Sequence, residues 1–589
     1  MPLYGPQYII YSILLSLVAG FPLVLLIGCC LSTLRAPCYR LLPFAPLPAL
    51  LIVLFSNPGL EVQVAWFFMG STMGLDATGR IFLSFTSLIW LFSGLSVHDR
   101  FGSDPHRFRF AGFFLAAMSG NFGLILARDI LGFYLFFALM SFSAYGLIVH
   151  NSTRQALKAG RVYLILVLIS ELAMFTALVI LAENGTVPTV GAISADDLNL
   201  LLIILIFITF GVKIGALPFQ SWMLLSYQEI PVPAATALAG AMVNAGIFGW
   251  LRFFPLGHTV LPAGGVLFIT SGAAAAIYGI VYGLYQNKIG RVLASSSISQ
   301  MGLVTLIVGY GLLSPDASRS ALLVMTLFAV HHSMAKASLF LGYDMIDRKN
   351  KMNSFILLTG LLLPSLTLAG LPLTSGAMVK GAMKDLIAID NSWWHLFGKI
   401  FLPASSTGTT ILMLHCVRLL KLQSRKAIIS ENNLSAILWL ASVICLIAVP
   451  WLWPPLRYLG SHSLQSHALL HSLWPVALGI MLALAWFAFG SRLPLREQAT
   501  ADFDAIIRIL YDQFMSLLNW FTDKLENIGK KVQPEQLKQQ FGPFYLRLKG
   551  PGKWEKVLGR WSVVGLCYLL VCILFFLIIM SGYIATDGS

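Results

Sequence analysis

Nine ionisable side chains lie inside stretches of this sequence that are otherwise almost entirely apolar. They are Glu171, Lys213, His331, His332, Lys336, Lys380, Lys384, Asp385 and His415. A charge at the centre of a bilayer costs roughly 2.5 to 3.5 kcal/mol on insertion scales, so an ionisable residue kept there is a candidate functional residue. The charged form of a lysine is disfavoured at such a site, and its proton occupancy responds to small changes in its surroundings. This is the behaviour that a proton relay needs.

Five of these residues are predicted to form the relay. Lys213, Lys336 and Lys380 could form a row along the membrane plane. His332 lies one helical turn before Lys336 and is a carrier suited to neutral pH. Among these five residues, Glu171 is the one that carries a carboxylate. We therefore predict proton transfer along this row, with no cofactor and no metal taking part.

The other polar residues also have simpler explanations. Lys384 and Asp385 fit a position near the membrane interface, where long side chains extend to water. His415 fits a single hydrogen bond to a backbone carbonyl. A further group could line a hydrated path or only hydrogen-bond between helices: Asn244, Ser295, Ser296, Ser297, Ser299 and Gln300.

The composition makes the bilayer the solvent for nearly the whole chain. Of 589 residues, 57% are hydrophobic and 11% are charged, and mean hydropathy is +0.80, whereas soluble domains are about 25% charged. An ordinary cytosolic enzyme is therefore excluded. The net charge of +14 is explained by basic loops and does not indicate a nucleic-acid partner.

Apolar runs predict an all-α polytopic membrane protein of about fifteen or sixteen transmembrane helices. The predicted helices 1 to 16 span 7–33, 41–55, 80–97, 108–126, 129–150, 160–182, 199–216, 231–254, 261–285, 291–312, 319–344, 354–389, 396–421, 433–454, 469–490 and 561–583. Segment 7–33 lacks a basic leading region, so we interpret it as an uncleaved helix and not as a signal peptide. No strand pattern is evident.

The basic residues of the loops predict the orientation of the chain. Lys and Arg collect after odd-numbered predicted helices, as in Arg100, Arg107 and Arg109 after helix 3, with the loop after helix 7 as an exception. Loops after even-numbered helices carry one or none, such as Arg128 and Arg252. Because cytoplasmic loops are the basic ones, we expect a bacterial inner-membrane protein with its N-terminus outward.

Predicted helices 7 and 12 are interrupted, at Gly211–Pro218 and Gly370–Gly376, and each carries a lysine of the row. Broken helices at matching places indicate inverted repeats with the site at their interface. Helices 4–8 and 9–13 would then be two inverted five-helix repeats. Farther on, apolar residues recur every three or four positions over 503–528, which predicts an amphipathic helix along the membrane surface. It could cover its own bundle or clamp neighbouring subunits.

The cysteines do not indicate a metal or redox centre. Neither a CxxC pair nor a His-Cys cluster occurs at ligand spacing, and no Gly-rich nucleotide fingerprint is present. The seven are Cys29, Cys30, Cys38, Cys416, Cys445, Cys567 and Cys572. Any oxidoreductase chemistry is therefore expected from partner subunits.

Four motifs resemble the antiporter-like membrane subunits of respiratory complex I and the membrane-bound hydrogenases, and in particular chain 5 of proton-translocating NADH-quinone oxidoreductase. They are Phe210–Trp222, Asn287–Ser297 with Gln300–Gly302, His332–Gly342 and Ala369–Gly376 followed by Lys380. The resemblance covers about residues 75–425 and implies two inverted five-helix repeats, a C-terminal amphipathic lateral helix and a final span.

The predicted helices, with the resemblance naming the core, give a domain organisation. It has 1–107 for helices 1–3, 108–425 for the antiporter-like core, 426–496 for helices 14–15, 497–560 for the lateral helix and basic linker, and 561–589 for the last helix.

The resemblance assigns a role to each residue of the row. Lys213 is similar to the central lysine of helix 7, His332 and Lys336 to the connecting pair of helix 11, and Lys380 to the residue at the exit half-channel. Glu171 is a weaker match.

One departure from the family pattern concerns the partner of Lys213. Where the family has a Trp-Glu pair in helix 5, this chain has Phe137 and Ala138, followed by Leu139 and Met140. Either Glu171 has become the partner of Lys213, or coupling in this subunit is altered or lost.

Three hypotheses follow. The first is proton, or sodium, translocation as a subunit of a complex I-like or hydrogenase-type complex. The second is the membrane subunit of an ion-coupled two-component system for CO2 or bicarbonate uptake, and the third is a scaffold that has lost transport. The expected partners are other membrane subunits, a peripheral redox or zinc-bearing subunit, and membrane lipid.

Overall fold

The structure is a computed structural model. It describes residues 6–55, 59, 61–64, 71–183, 193–194, 197–256, 260–347, 354–389, 393–424, 433–452 and 466–489. The predicted lateral helix and the final transmembrane helix lie outside the described residues.

Helices account for most of the described chain, and the polytopic helical fold class is confirmed. In chain order they are α1 Pro6–Cys30, α2 Arg35–Leu41, α3 Leu47–Phe55, α4 Ala77–Phe101, α5 Arg107–Leu126, α6 Ile130–Ile148, α7 Arg154–Glu183, α8 Leu200–Ile214, α9 Ser221–Glu229, α10 Val232–Ala237, α11 Asn244–Phe253, α12 Pro262–Leu284, α13 Ile289–Leu313, α14 Pro315–Asp347, α15 Ser354–Ala369, α16 Ser375–Ala388, α17 Trp393–Ser424, α18 Asn433–Leu452 and α19 Ser466–Phe489. A short 3₁₀ turn, Leu42–Phe44, joins α2 to α3, and a π-helical segment, Leu238–Met242, joins α10 to α11.

Among the described residues, twelve helical segments are long and apolar enough to cross a membrane. They include the combined α2–α3 and α10–α11 segments, and they coincide with twelve of the first fifteen predicted helices, all except the seventh, twelfth and fourteenth. Three shorter apolar helices lie within α8, α15 and α18. The most enclosed spans are α10–α11 and α13, whose apolar windows are completely buried inside the protein. The chain is therefore a multi-pass membrane protein whose centre is built around α11 and α13.

One expectation about secondary structure was wrong. The described chain contains two short antiparallel strands, β1 Glu61–Val64 and β2 Ser71–Gly74, paired with Glu61 opposite Gly74. Strands of four residues are too short for an alternating pattern to be recognised in an apolar sequence. The hairpin lies just before α4, at the end of the bundle where α5 ends, because Met73 also bridges to Ala127.

Two predicted helices are interrupted, as the sequence indicated. The first break separates α8 from α9, where Gly215 has φ +70°, and the second separates α15 from α16, where Gly370 has φ +96°. At both, the residue after the glycine donates its N–H to the carbonyl five residues back, from Ala216 to Gly211 O (2.8 Å) and from Leu371 to Leu366 O (2.9 Å). This is the glycine-terminated Schellman cap, and a proline follows each glycine within three residues. The inverted relation of the two halves stays a prediction.

An ion-pair network ties helix ends together beside the hairpin. The Asp76 carboxylate caps α4 by accepting from Gly79 N (2.7 Å) and accepts from both terminal guanidinium nitrogens of Arg252 at 2.6 and 2.7 Å. Arg128 bridges Asp76 (3.1 Å) and Glu61 (2.8 Å). Burial raises the pKa of Asp76, but Arg252, the Gly79 N–H and Arg128 outweigh it and hold this pKa well below its usual value. The two basic residues on the predicted outer side therefore have a structural role.

Candidate functional site

Lys213 lies near the end of α8, just before the first break. Its side chain is buried, and its Nζ donates to the hydroxyl oxygens of Ser141 (3.0 Å) and Tyr163 (3.4 Å). The Phe137 ring of α6 lies 5.4 Å from the same nitrogen. Phe137 and Ser141 are one turn apart on α6, so this helix presents an aromatic face and a hydroxyl to the lysine in place of a carboxylate.

Glu171 of α7 is the acidic residue whose charge acts on Lys213. It is 5% exposed, and neither carboxylate oxygen has a well-formed hydrogen bond to any described residue. The hydroxyl of the adjacent Ser170 donates to Thr209 O (2.8 Å), one turn before Lys213, and fixes the register of α7 against α8. The structure therefore brings Glu171 near Lys213 without a direct hydrogen bond between them.

Lys336 is in the middle of α14 and is completely buried. Its Nζ donates to the Leu293 carbonyl (2.8 Å) and to the Ser296 hydroxyl (2.5 Å), both on α13. His332 lies one turn earlier on α14, and neither of its ring nitrogens has a hydrogen-bond partner among the described residues. A buried imidazole in this state is available to exchange a proton with water or with a neighbouring group.

Lys380 follows the second break, on α16, and is partly buried. Its Nζ donates to Ala369 O (2.7 Å), the last carbonyl of α15, and to the Ser406 hydroxyl of α17 (2.8 Å). The interruption of the helix leaves terminal carbonyls without intrahelical partners, and a lysine satisfies one of them here. His331 Nδ1 is 2.9 Å from Ser375 Oγ at the start of α16, which connects α14 to this site.

The three lysines share one arrangement. Each Nζ is hydrogen-bonded to a serine hydroxyl from a different helix: Ser141 on α6, Ser296 on α13 and Ser406 on α17. Within the described chain, the acceptors bound by these ammonium groups are neutral oxygens. Neutral partners stabilise an ammonium less than a carboxylate does, so each lysine is held in a position that suits both gain and loss of a proton.

Polar atoms also occur between the lysines. Asn244, just after the π-helical segment, donates from Nδ2 to Ser333 Oγ (2.7 Å), which links α11 to α14 beside His332. Several buried atoms in this region lack a hydrogen-bond partner among the described residues: Asn244 Oδ1, Ser299 Oγ, Gln300 Oε1, Ser405 Oγ and the two His332 nitrogens. Buried polar atoms are normally paired with protein or ordered water, so these positions suit a hydrated path.

A cavity of about 170 Å³ approaches this region from one end of the bundle. Its lining includes Tyr227 and Glu229 of α9, Phe340 of α14, and the ion pair between Arg100 and Asp347 (2.8 Å). Phe340 lies one turn after Lys336 on the same helix, and its ring contacts that of Tyr227 (centroids 5.5 Å apart). The cavity therefore brings solvent-accessible space to within about two helical turns of Lys336.

The remaining polar candidates form no hydrogen bond with the three lysines of the row in the described chain. Lys384 and Asp385 are exposed on the outside of α16. His415 Nε2 is 2.8 Å from the Gln286 carbonyl oxygen. Ser295 donates to Arg291 O within its own helix, whereas Gln300 donates to Thr409 of α17 (3.4 Å).

Sequence analysis missed the hydroxyl partners Ser141, Tyr163 and Ser406. The available signal was weak: a serine one turn after Phe137 in an apolar helix, and the Ser405–Ser406 pair in another. The described residues contain no group of three or more His, Cys, Asp or Glu side chains that could hold a metal ion.

The comparisons with known proteins agree on one family. Residues 127–383 match the transmembrane domain of the NADH:quinone oxidoreductase/Mrp antiporter family. Hydrogenase-4 component B of Escherichia coli is 28% identical over 244 residues, which is 39% of this chain and 36% of that protein. A Na(+)/H(+) antiporter subunit of Alkalihalophilus pseudofirmus is 24% identical over 333 residues, 53% of this chain and 66% of that protein. The matched part of the chain thus spans between about a third and two thirds of these relatives.

A solved structure supports the same fold. A chain of the Mrp complex from Dietzia sp. DQ12-45-1b superposes with a TM-score of 0.69 at 18% identity, covering 97% of this chain and 63% of that one. The matched residues 127–383 contain Glu171, Lys213, His332, Lys336 and Lys380. Over residues 127–383 the chain therefore carries an antiporter-like transmembrane domain similar to those of NADH:quinone oxidoreductase, hydrogenase and Mrp antiporter subunits.

Proposed function

We propose that this subunit translocates protons through the row formed by Lys213, Lys336 and Lys380, with Glu171 and His332 as additional proton carriers. Similarity to NADH:quinone oxidoreductase and Na(+)/H(+) antiporter subunits supports cation or proton translocation. The observation that carries the choice of path is the shared arrangement of the three lysines. Each is held by a serine hydroxyl and, among the described residues, by no hydrogen-bonded carboxylate. Water entering from the Tyr227 cavity would supply protons near Lys336, in the middle of the row.

The charges along the chain support a choice of orientation. Basic loops after the odd-numbered predicted helices favour a bacterial inner membrane with the N-terminus outward. The cavity beside Arg100 and Asn151 would then open to the cytoplasm. The proposed partners are the membrane subunits of a complex I-like or hydrogenase-type complex, since similar proteins include a hydrogenase-4 component and an NAD(P)H-quinone oxidoreductase chain, together with a peripheral subunit that performs the redox chemistry.

The first experiment is affinity purification of the tagged chain from its native membrane in mild detergent, with mass spectrometry of the partners. We expect redox or hydrogenase subunits to co-purify. A lone zinc-binding partner would contradict this assignment and favour the ion-coupled uptake of inorganic carbon instead.

The second experiment tests the path itself in the purified complex reconstituted into liposomes. Lys213→Ala removes the buried ammonium, and we expect proton translocation to be abolished while electron transfer by the partner subunits stays measurable. Lys158→Ala, at an exposed position near the start of α7, is the control and is expected to transport normally. Unchanged pumping by Lys213→Ala would refute the proposal.

A further inference from the structure

The Lys213 site differs from the other two lysine sites because a carboxylate lies close to it. Glu171 acts electrostatically on Lys213, yet its oxygens form no hydrogen bond with the lysine. Ser141 is near both groups: its Oγ accepts from Lys213 Nζ (3.0 Å), and it lies close to the Glu171 carboxylate without a well-formed hydrogen bond to it. We propose, on the basis of the function above, that the Ser141 hydroxyl relays a proton between Lys213 and Glu171.

The Ser141 hydroxyl can donate its proton to a carbonyl of its own helix or, after rotation, to Glu171. In the structure it donates to Phe137 O, one turn earlier on α6 (2.7 Å). Rotation of the hydroxyl redirects the O–H to Glu171 at little cost, since a hydroxyl bonded to its own helix gives up only a local hydrogen bond. The hydroxyl therefore connects the two ionisable groups in one orientation and disconnects them in the other.

The transfer is balanced in protons and charge. The Lys213 ammonium gives one proton to Ser141 Oγ, and Ser141 gives its original hydroxyl proton to the Glu171 carboxylate. A neutral amine, an unchanged serine and a neutral carboxylic acid result, so two buried charges are removed together. Lys213 is then reprotonated from the Lys336 side of the row, and Glu171 releases its proton. These two steps complete the transfer of one proton.

Tyr163 is less suited to be the relay than Ser141. Its hydroxyl oxygen is farther from Lys213 Nζ, at 3.4 Å against 3.0 Å, and its hydroxyl donates to Ser141 O (2.9 Å), which belongs to another helix. Tyr163 is a positioning residue that fixes the Ser141 backbone. Ala138 of the same helix as Ser141 has no polar side-chain group that could replace the hydroxyl.

The test compares two serines of α6 in the reconstituted complex. Ser141→Ala removes the relay, and we expect proton flux to fall about 100-fold or more, as when a general acid–base group is lost. Ser143→Ala is the matched control, because Ser143 lies on the same helix and donates only locally, to Leu139 O one turn earlier (2.6 Å). Wild-type flux in Ser141→Ala would overturn the relay.

A rescue experiment distinguishes a proton-relay role of Ser141 from a packing role. Glu171→Gln is expected to abolish flux, and adding Ser141→Asp should restore part of it, because the new carboxylate would contact Lys213 directly. A double variant that folds and is as inactive as Glu171→Gln would overturn the proposal. If Lys213→Ala is inactive and Ser141→Ala is normal, only the relay fails; if Lys213→Ala pumps normally, the proposed function fails.

Discussion

Substitution of Gly246 in α11 tests how precisely the Lys213 side chain must be positioned for proton transfer. A methyl group at this position would lie 2.5 Å from Ile214 Cγ2, 2.8 Å from Phe210 O and 3.2 Å from Lys213 Cβ. Ordinary contacts begin at 3.4 Å, so α8 and α11 must separate by about 0.6 Å at the Phe210 carbonyl. The α10–α11 segment is completely enclosed, so we expect the displacement to fall on α8 and on Lys213.

Two magnitudes follow for Gly246→Ala. Overpacking in an enclosed region costs about 1–3 kcal/mol of stability. A displacement of 1 Å at a reacting group costs on the order of 100-fold in rate, so about 0.6 Å predicts a loss of roughly tenfold in proton flux. The measurement is flux through the reconstituted complex, normalised to folded protein, together with the thermal midpoint of unfolding.

Gly381→Ala is the matched control for this experiment. Gly381 is next to Lys380 on α16, and a methyl group there meets no described atom within 4 Å. Because alanine favours a helix over glycine by about 1 kcal/mol, we expect unchanged flux and equal or higher stability. Wild-type flux in folded Gly246→Ala would refute the reasoning that the position of Lys213 relative to α6 and α7 limits transport.

Two further predictions concern other sites. Lys380→Met should abolish proton flux, because it removes the ammonium bound to the α15 terminus and to a serine. Lys384→Met, at an exposed position, should transport normally. Equal loss of flux in both variants would show that charge alone matters. Asp76→Asn keeps the helix cap but leaves Arg252 without its carboxylate, and we expect a loss of about 2–3 kcal/mol in the free energy of unfolding at pH 7. The pKa of Asp76 is lowered in the folded protein, so this stabilisation is present above the usual carboxylate pKa of 3.8 and is lost as the pH falls below that value. The thermal midpoints of the wild type and Asp76→Asn should therefore differ at pH 7 and converge in strong acid. Equal midpoints at pH 7 would contradict it.

The sequence by itself determined the membrane class, the positions of most spans, the two helix breaks and the ionisable residues within the spans. The physical reason is that a bilayer requires about 20 apolar residues for each crossing, while a charge within a span is costly enough to be noticed in a single sequence. The breaks are equally local, because a glycine at positive φ followed by a proline ends a helix wherever it occurs, as at Gly215 and Gly370.

Only the tertiary structure decided which groups the row contacts. Ser141, Ser296 and Ser406 are separated from their lysines by 72, 40 and 26 residues, and a serine in an apolar helix has the same local pattern whether it bonds only its own backbone or also a distant ammonium. The β1–β2 hairpin and the Asp76 network depend likewise on pairing between distant segments. The partner of Lys213 is the clearest case: the sequence left Glu171 as one of two alternatives, and the packing of α6 between α5 and α7 brought a serine hydroxyl to the lysine.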